Sequence, residues 1–96
     1  MTIFGYKSER LSMGKLKKLL ERLVSEPKDF TWDEFESLMS VLGYKKCKSG
    51  KTSGSRRRYK HAVMAPIILH EPHPQRILKH YQLEIIIERL EKEGIL

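Results

Sequence analysis

Apolar residues at Leu16, Leu19, Leu20, Leu23 and Val24 recur at spacings of three and four, which places one stripe along a helix beginning at Met13. Lys17, Lys18, Glu21 and Arg22 take the opposite side. This helix must end by Glu26, because Pro27 disfavours helical geometry in the residue before it and lacks an N–H. Ahead of it, Met1 to Ser12 mix apolar and charged residues without a clear period and read as an arm that docks on the domain. A second helix starts at a capping box, Thr31-Trp32-Asp33-Glu34, with Thr31 as N-cap and Glu34 reaching back to its N–H. Phe30 and Phe35 suit a hydrophobic staple. Phe35, Leu38, Met39 and Leu42 form the buried stripe, and Gly43 closes the helix in a left-handed conformation.

After Gly43 the period changes. Tyr44 to Lys48 and Ser55 to His61 read as two strands of a hairpin around a Gly- and Ser-rich connection. In the second strand, Tyr59 is the inward anchor with Arg57 on its face, while Arg56, Arg58 and Lys60 take the other. Ala65 to His70 is a third strand, which Pro66 restricts to an edge or to a strand beginning. His70-Glu71-Pro72-His73-Pro74 is a rigid exit, and His80 to Gly94 forms the last helix, with Leu83, Ile86, Ile87 and Leu90 inward. Tyr81 and Ile85 widen that apolar arc beyond what one small sheet needs, a surplus that fits packing against the first helix or a partner surface. The fold class is α+β, a three-stranded antiparallel sheet packed on helices.

Composition narrows the class. At 96 residues the chain is a single domain of ordinary apolar content, and no apolar run approaches the roughly 20 residues of a membrane helix. The start is too short and polar for a secretory leader, and Cys47, the one cysteine, has no partner for a disulfide, so a cytoplasmic location is expected. Charge changes the picture more. From Tyr44 to Lys60, eight cations (Lys45, Lys46, Lys48, Lys51, Arg56, Arg57, Arg58 and Lys60) meet no acidic residue, and with +7 overall the rest of the chain carries −1. Concentrated positive charge of this kind neutralises a polyanion and releases its condensed counterions. The expected RNA-contacting set is Lys51, Ser55, Arg56, Arg57, Arg58 and Lys60.

The order of helix, Gly-aromatic, basic strand, Gly-Ser, two strands, His-Pro and helix from Trp32 to Ile95 resembles the HicA, or YcfA-like, family of bacterial toxins. Leu42-Gly43-Tyr44, Gly54-Ser55, Pro72-His73-Pro74 and Leu90 through Gly94-Ile95 carry the resemblance. It implies a fold like that of double-stranded-RNA-binding domains and metal-independent endoribonuclease activity on messenger RNA, neutralised by a HicB-type antitoxin. Residues 31–96 would then be the HicA-like core, and 1–26 an added arm and helix that braces the sheet or extends the antitoxin interface. The family's catalytic histidine follows the Gly-Ser pair, where this chain has Arg56.

Metal-free RNA cleavage needs a base for the 2′-hydroxyl proton, an acid for the leaving oxygen and cations for the phosphorane. Arg56 supplies only the last, because a guanidinium keeps its proton near neutrality. The proton-transfer candidates are His61, His70 and His73: His73 comes first because prolines flank it, and His70 second. No cofactor or metal is expected, since His70-x-x-His73 leading toward His80 matches no zinc pattern. Gly50-Lys51-Thr52 lacks the spacing of a phosphate-binding loop. Three readings stay open: a HicA-like ribonuclease toxin, a catalytically weak RNA-binding module of the same fold, and a protein interaction domain with a basic face.

Overall fold

Gly43 separates a helical half of the chain from a sheet-and-helix half, and one core joins them. The computed structural model describes residues 6–48 and 54–96, with side chains in the first helix from Gly14 onward. The elements run α1 (Tyr6–Val24), α2 (Trp32–Leu42), β1 (Lys45–Lys46), β2 (Arg56–Lys60), β3 (Ile67–His70) and α3 (His80–Lys92). The α+β architecture expected from the pattern is present, with the antiparallel sheet ordered β1-β2-β3.

The arm is the clearest correction: Tyr6 to Ser12 continue α1, while Met1 to Gly5 lie outside the described residues. A helix nucleated by its apolar stripe propagates through neighbours of adequate propensity at little cost, and nothing between Tyr6 and Ser12 breaks it. The stripe itself buries Leu19 and Leu23, with Leu16 and Leu20 packed against the core. Arg22 adds a polar clasp. Its guanidinium donates to the Glu34 carboxylate, to Asp29 O at 2.9 Å and to Asp29 Oδ1 at 3.0 Å. These contacts hold α1 to the start of α2, and α1 also packs against α3.

At α2 the local reading holds in detail. Glu34 N donates to Thr31 Oγ1 at 3.1 Å, Thr31 N donates to Glu34 Oε1 at 2.9 Å, and Phe30 and Phe35 are both fully buried. Gly43 takes φ 94°, and its N–H returns to Ser40 O at 3.0 Å. A short bridge, Thr31 opposite Ile77, ties the segment before α2 to the segment before α3: Trp32 N donates to Arg76 O at 2.9 Å and Leu78 N to Phe30 O at 2.8 Å.

Both strands of the hairpin are shorter than the sequence pattern predicts, β1 having only two residues, and Pro66 lies just before β3. The inward residues Tyr59, Ile67 and Leu69 meet Trp32, Phe35, Leu38 and Met39 of α2 and Leu83, Ile86 and Leu90 of α3 in one core. Tyr81 and Ile85 stay exposed, so α1 does not cover the surplus apolar arc of α3.

Candidate nucleic-acid interface

Strand register decides which cations share a face. Lys45 stands opposite Lys60, Arg58 opposite Ile68 and Arg56 opposite His70, and residues paired across a ladder point to the same side. The face turned away from the core therefore carries Lys45, Lys60, Arg58, Arg56 and His70, all exposed, around a half-buried Ile68. None of the four cations has an ion-pair partner among the described residues. Four uncompensated charges on one open sheet face form an anion-binding surface.

The opposite side of the same strands handles charge differently. Arg57 is anchored by its own turn, donating to Gly54 O at 2.7 Å, and pairs with the largely buried Glu71 at 3.3 Å. Glu71 also accepts from Arg76 Nε at 2.7 Å, and Arg76 reaches Asp33 at 3.1 Å, so the network crosses from the sheet to the first turn of α2. Arg57 is thereby a structural cation, unlike its two neighbours. Lys46 makes a similar inward contact. Lys46 Nζ and the Tyr59 hydroxyl both donate to Glu36 Oε2, at 2.9 and 2.8 Å. Burial alone would raise the Glu36 carboxyl, but the bonds from Lys46 and Tyr59 outweigh it and hold the group below the usual carboxylate range. Burial, then the bond to the Glu36 carboxylate, pushes the Tyr59 hydroxyl well above its ordinary value.

At the end of the sheet the register brings Arg56 and His70 side by side, which places their Cβ atoms about 4.5–5.5 Å apart. His70 Nδ1 lies 3.5 Å from Ser55 Oγ, the long limit of a hydrogen bond, and Glu71 N donates to Ser55 O at 2.8 Å. Behind the strand, the buried Gln82 side chain donates to His70 O at 2.8 Å and accepts from Lys79 N at 3.0 Å. One amide thus fastens the end of β3 to the start of α3. Gly54 precedes this cluster with φ 56°, a conformation glycine adopts without strain.

The model of the family described as HicA toxin of bacterial toxin-antitoxin matches residues 32–92, more than half of the chain. The chain belongs to the HicA toxin family. No curated protein and no solved structure matches it. The HicA segment begins at the first residue of α2 and ends at the last residue of α3, so α1 lies outside it. As a member, the chain is a toxin of a toxin–antitoxin system and has an antitoxin partner. No helix among the described residues is long and apolar enough to cross a membrane.

Of the residues expected to act in this HicA domain, Ser55, Arg56 and His70 come together, and Arg58 and Lys60 extend the same face. Arg57 stands on the other side, and Lys51 lies outside the described residues. His73 is exposed and lines a separate shallow cleft with Pro72, Gln75, Ile77 and Lys79. His61 is occupied structurally. Its Nδ1 accepts from Val63 N at 3.0 Å and Met64 N at 3.1 Å, which leaves the proton on Nε2 to bond Leu42 O at 3.0 Å. That arrangement removes His61 from the proton-transfer candidates. Lys45 belongs to the basic stretch but not to the contact set expected from the sequence, and Gln82 belongs to neither. Strand alternation counted from Tyr59 points to Lys45, but no local signal marks a buried glutamine as the support of a strand residue twelve positions away.

Proposed function

We propose that this HicA toxin acts in the cytoplasm on messenger RNA, binding its backbone on the outer sheet face, and that a HicB-type antitoxin masks the same face. The observation that carries the reading is the alignment of Lys45, Arg56, Arg58 and Lys60 on one side of the sheet without acidic partners among the described residues. Phosphates spaced along a single strand match a row of cations across a ladder, and such contacts bind RNA by backbone and shape.

Within that reading, His70 is the base and Arg56 the phosphate clamp. The imidazole takes the 2′-hydroxyl proton, the 2′-oxygen attacks phosphorus, and the P–O5′ bond breaks to leave a cyclic phosphate and a 5′-hydroxyl. Arg56 offsets the charge of the phosphorane, and water on the open face protonates the departing oxygen. Adjacency to the position of the family's histidine favours His70 over His73. A second reading, RNA binding without cleavage, is favoured by the environment of His70: among the described residues its only side-chain hydrogen bond is the long one to Ser55, and no carboxylate bonds the ring.

The deciding experiment incubates the purified chain with a structured messenger RNA in excess EDTA, beside His70→Ala, His73→Ala and Arg56→His. Cyclic-phosphate or 3′-phosphate ends from the parent, lost in His70→Ala and kept in His73→Ala, support the nuclease with the relocated base. Cutting only by Arg56→His supports the binding module. A parent that neither cuts nor binds RNA overturns both and leaves the basic face to a protein partner.

A further inference from the structure

The segment leaving α1 meets the first turn of α3. Glu26, His80 and Glu84 converge there, with one ligating atom from each lying within 4.8 Å of the other two. We propose that these three residues form a zinc site that staples the added N-terminal helix to the HicA core.

The distances carry the argument. His80 Nε2 is 3.3 Å from Glu26 Oε1 and 3.5 Å from Glu84 Oε2. Ligand atoms around a tetrahedral zinc with bonds of about 2.0–2.2 Å stand about 3.3–3.6 Å apart, so both separations match edges of that tetrahedron. They fit an ion pair less well. A charged imidazolium bonds a carboxylate at about 2.7–2.9 Å, and its single Nε2–H cannot aim at two carboxylates on different elements. Glu26 Oε1 is also shut off from solvent with no hydrogen-bond partner among the described residues, an acceptor left for a ligand to satisfy. His80 and Glu84 are spaced i, i+4 and so project from one side of α3.

The donor set suits a borderline divalent ion: one imidazole and two carboxylates, with the fourth position open to water, as in three-ligand zinc sites. Two carboxylates balance the ion's charge. Lys28 on the rim of the same cleft and the positive end of α3 oppose a cation, and the short-range bonds to the three ligands act against them. The bridge between Thr31 and Ile77 brings the two segments together without the ion, so the site is largely prearranged. Glu26 precedes the family segment, which starts at residue 32, so the staple exists only in a HicA chain that carries α1.

The test uses the full chain without an affinity tag, freed of metal by dialysis against a chelator, with Zn2+ as the probe. Calorimetric titration is expected to show one equivalent bound and a melting temperature that rises with Zn2+. His80→Ala and Glu84→Gln should each weaken binding by at least about tenfold, since loss of a ligand does no less than the 10–100-fold loss on removing an outer partner. Both side chains are well exposed, so these variants fold. Glu26→Gln should abolish the zinc-dependent rise in melting temperature, and RNA binding in low salt should be unchanged in all three variants. Absence of stoichiometric binding identifies the cluster as a surface ion pair and overturns the proposal. So does zinc binding that survives both His80→Ala and Glu84→Gln, which would place the ion on His70, His73 or Cys47.

Discussion

Tyr59 is the residue through which the sheet, α2 and the charge on β1 are coupled, and Tyr59→Phe isolates that coupling. The ring is almost fully buried, edge-on to Phe35 at 5.2 Å between centroids, and phenylalanine keeps this packing. What is lost is the 2.8 Å bond to the Glu36 carboxylate. A hydrogen bond to a charged group is worth about 1.5–3 kcal/mol. Lys46 still pairs Glu36 in the variant, so the carboxylate is not orphaned and the lower end applies, about 1.5 kcal/mol. For a domain of this size that lowers the melting temperature by about 6–12 °C. The pH dependence gives an independent check. The folded-state pKa of Tyr59 is raised, so its contribution is complete below the unfolded value of about 10 and is lost as pH climbs beyond that toward the folded value. Phenylalanine does not titrate, and the gap between parent and variant should therefore shrink above about pH 10. Tyr44, whose hydroxyl is also raised by burial, remains in both proteins and keeps part of the alkaline loss. Thermal melts at pH 7 and about pH 11 measure both effects. A variant within about 2 °C of the parent at pH 7, with the same alkaline loss, would refute this account of the Tyr59–Glu36 bond.

Glu36→Gln addresses the acid limb: the depressed carboxyl contributes stability above its unfolded pKa and loses it as pH falls through the folded value, so urea midpoints of the variant should vary less between pH 6 and about pH 3. Glu34, lowered by its bond from Arg22, keeps a residual slope in both. Gly14→Ala, where an added Cβ meets nothing within 4 Å, should stabilise α1 by about 0.5–1 kcal/mol in the same denaturation assay. Gly43→Ala should destabilise by more than about 1 kcal/mol, because φ is +94° and the new Cβ would stand 3.2 Å from His61 Nε2; a neutral result would contradict the left-handed cap. For RNA, Arg58→Ala should weaken binding and reduce the slope of log K against log salt by about 0.7. Arg57→Ala should instead lower thermal stability, by leaving the largely buried Glu71 with Arg76 alone, and leave that slope nearly unchanged.

Short-range signals were readable wherever a few adjacent residues settle the outcome. The cap at Thr31, the stop at Gly43, the inward Tyr59 and the stripe on α3 all follow from contacts within one or two turns, and each stands where the pattern puts it. The start of α1 was misread because helix extension through Tyr6 to Ser12 depends on propagation from a neighbouring stripe and has no period of its own. Among the site residues, three adjacent arginines look alike in sequence. Glu71, fourteen positions from Arg57, separates them by pairing with only one.

The sequence by itself determined the class of fold, the capped helices, the excess of positive charge between Tyr44 and Lys60 and the family, because all of these reside in local composition and order. Only the tertiary structure decided that Arg56 stands beside His70, that His61 is committed to backbone amides, and that Glu26 reaches His80. The reason is physical. Periodicity says which face of an element is apolar, but strand register and the docking of α1 are set by how the whole core closes, and the chemistry of a polar side chain depends on what that closure brings within about 3–4 Å of it.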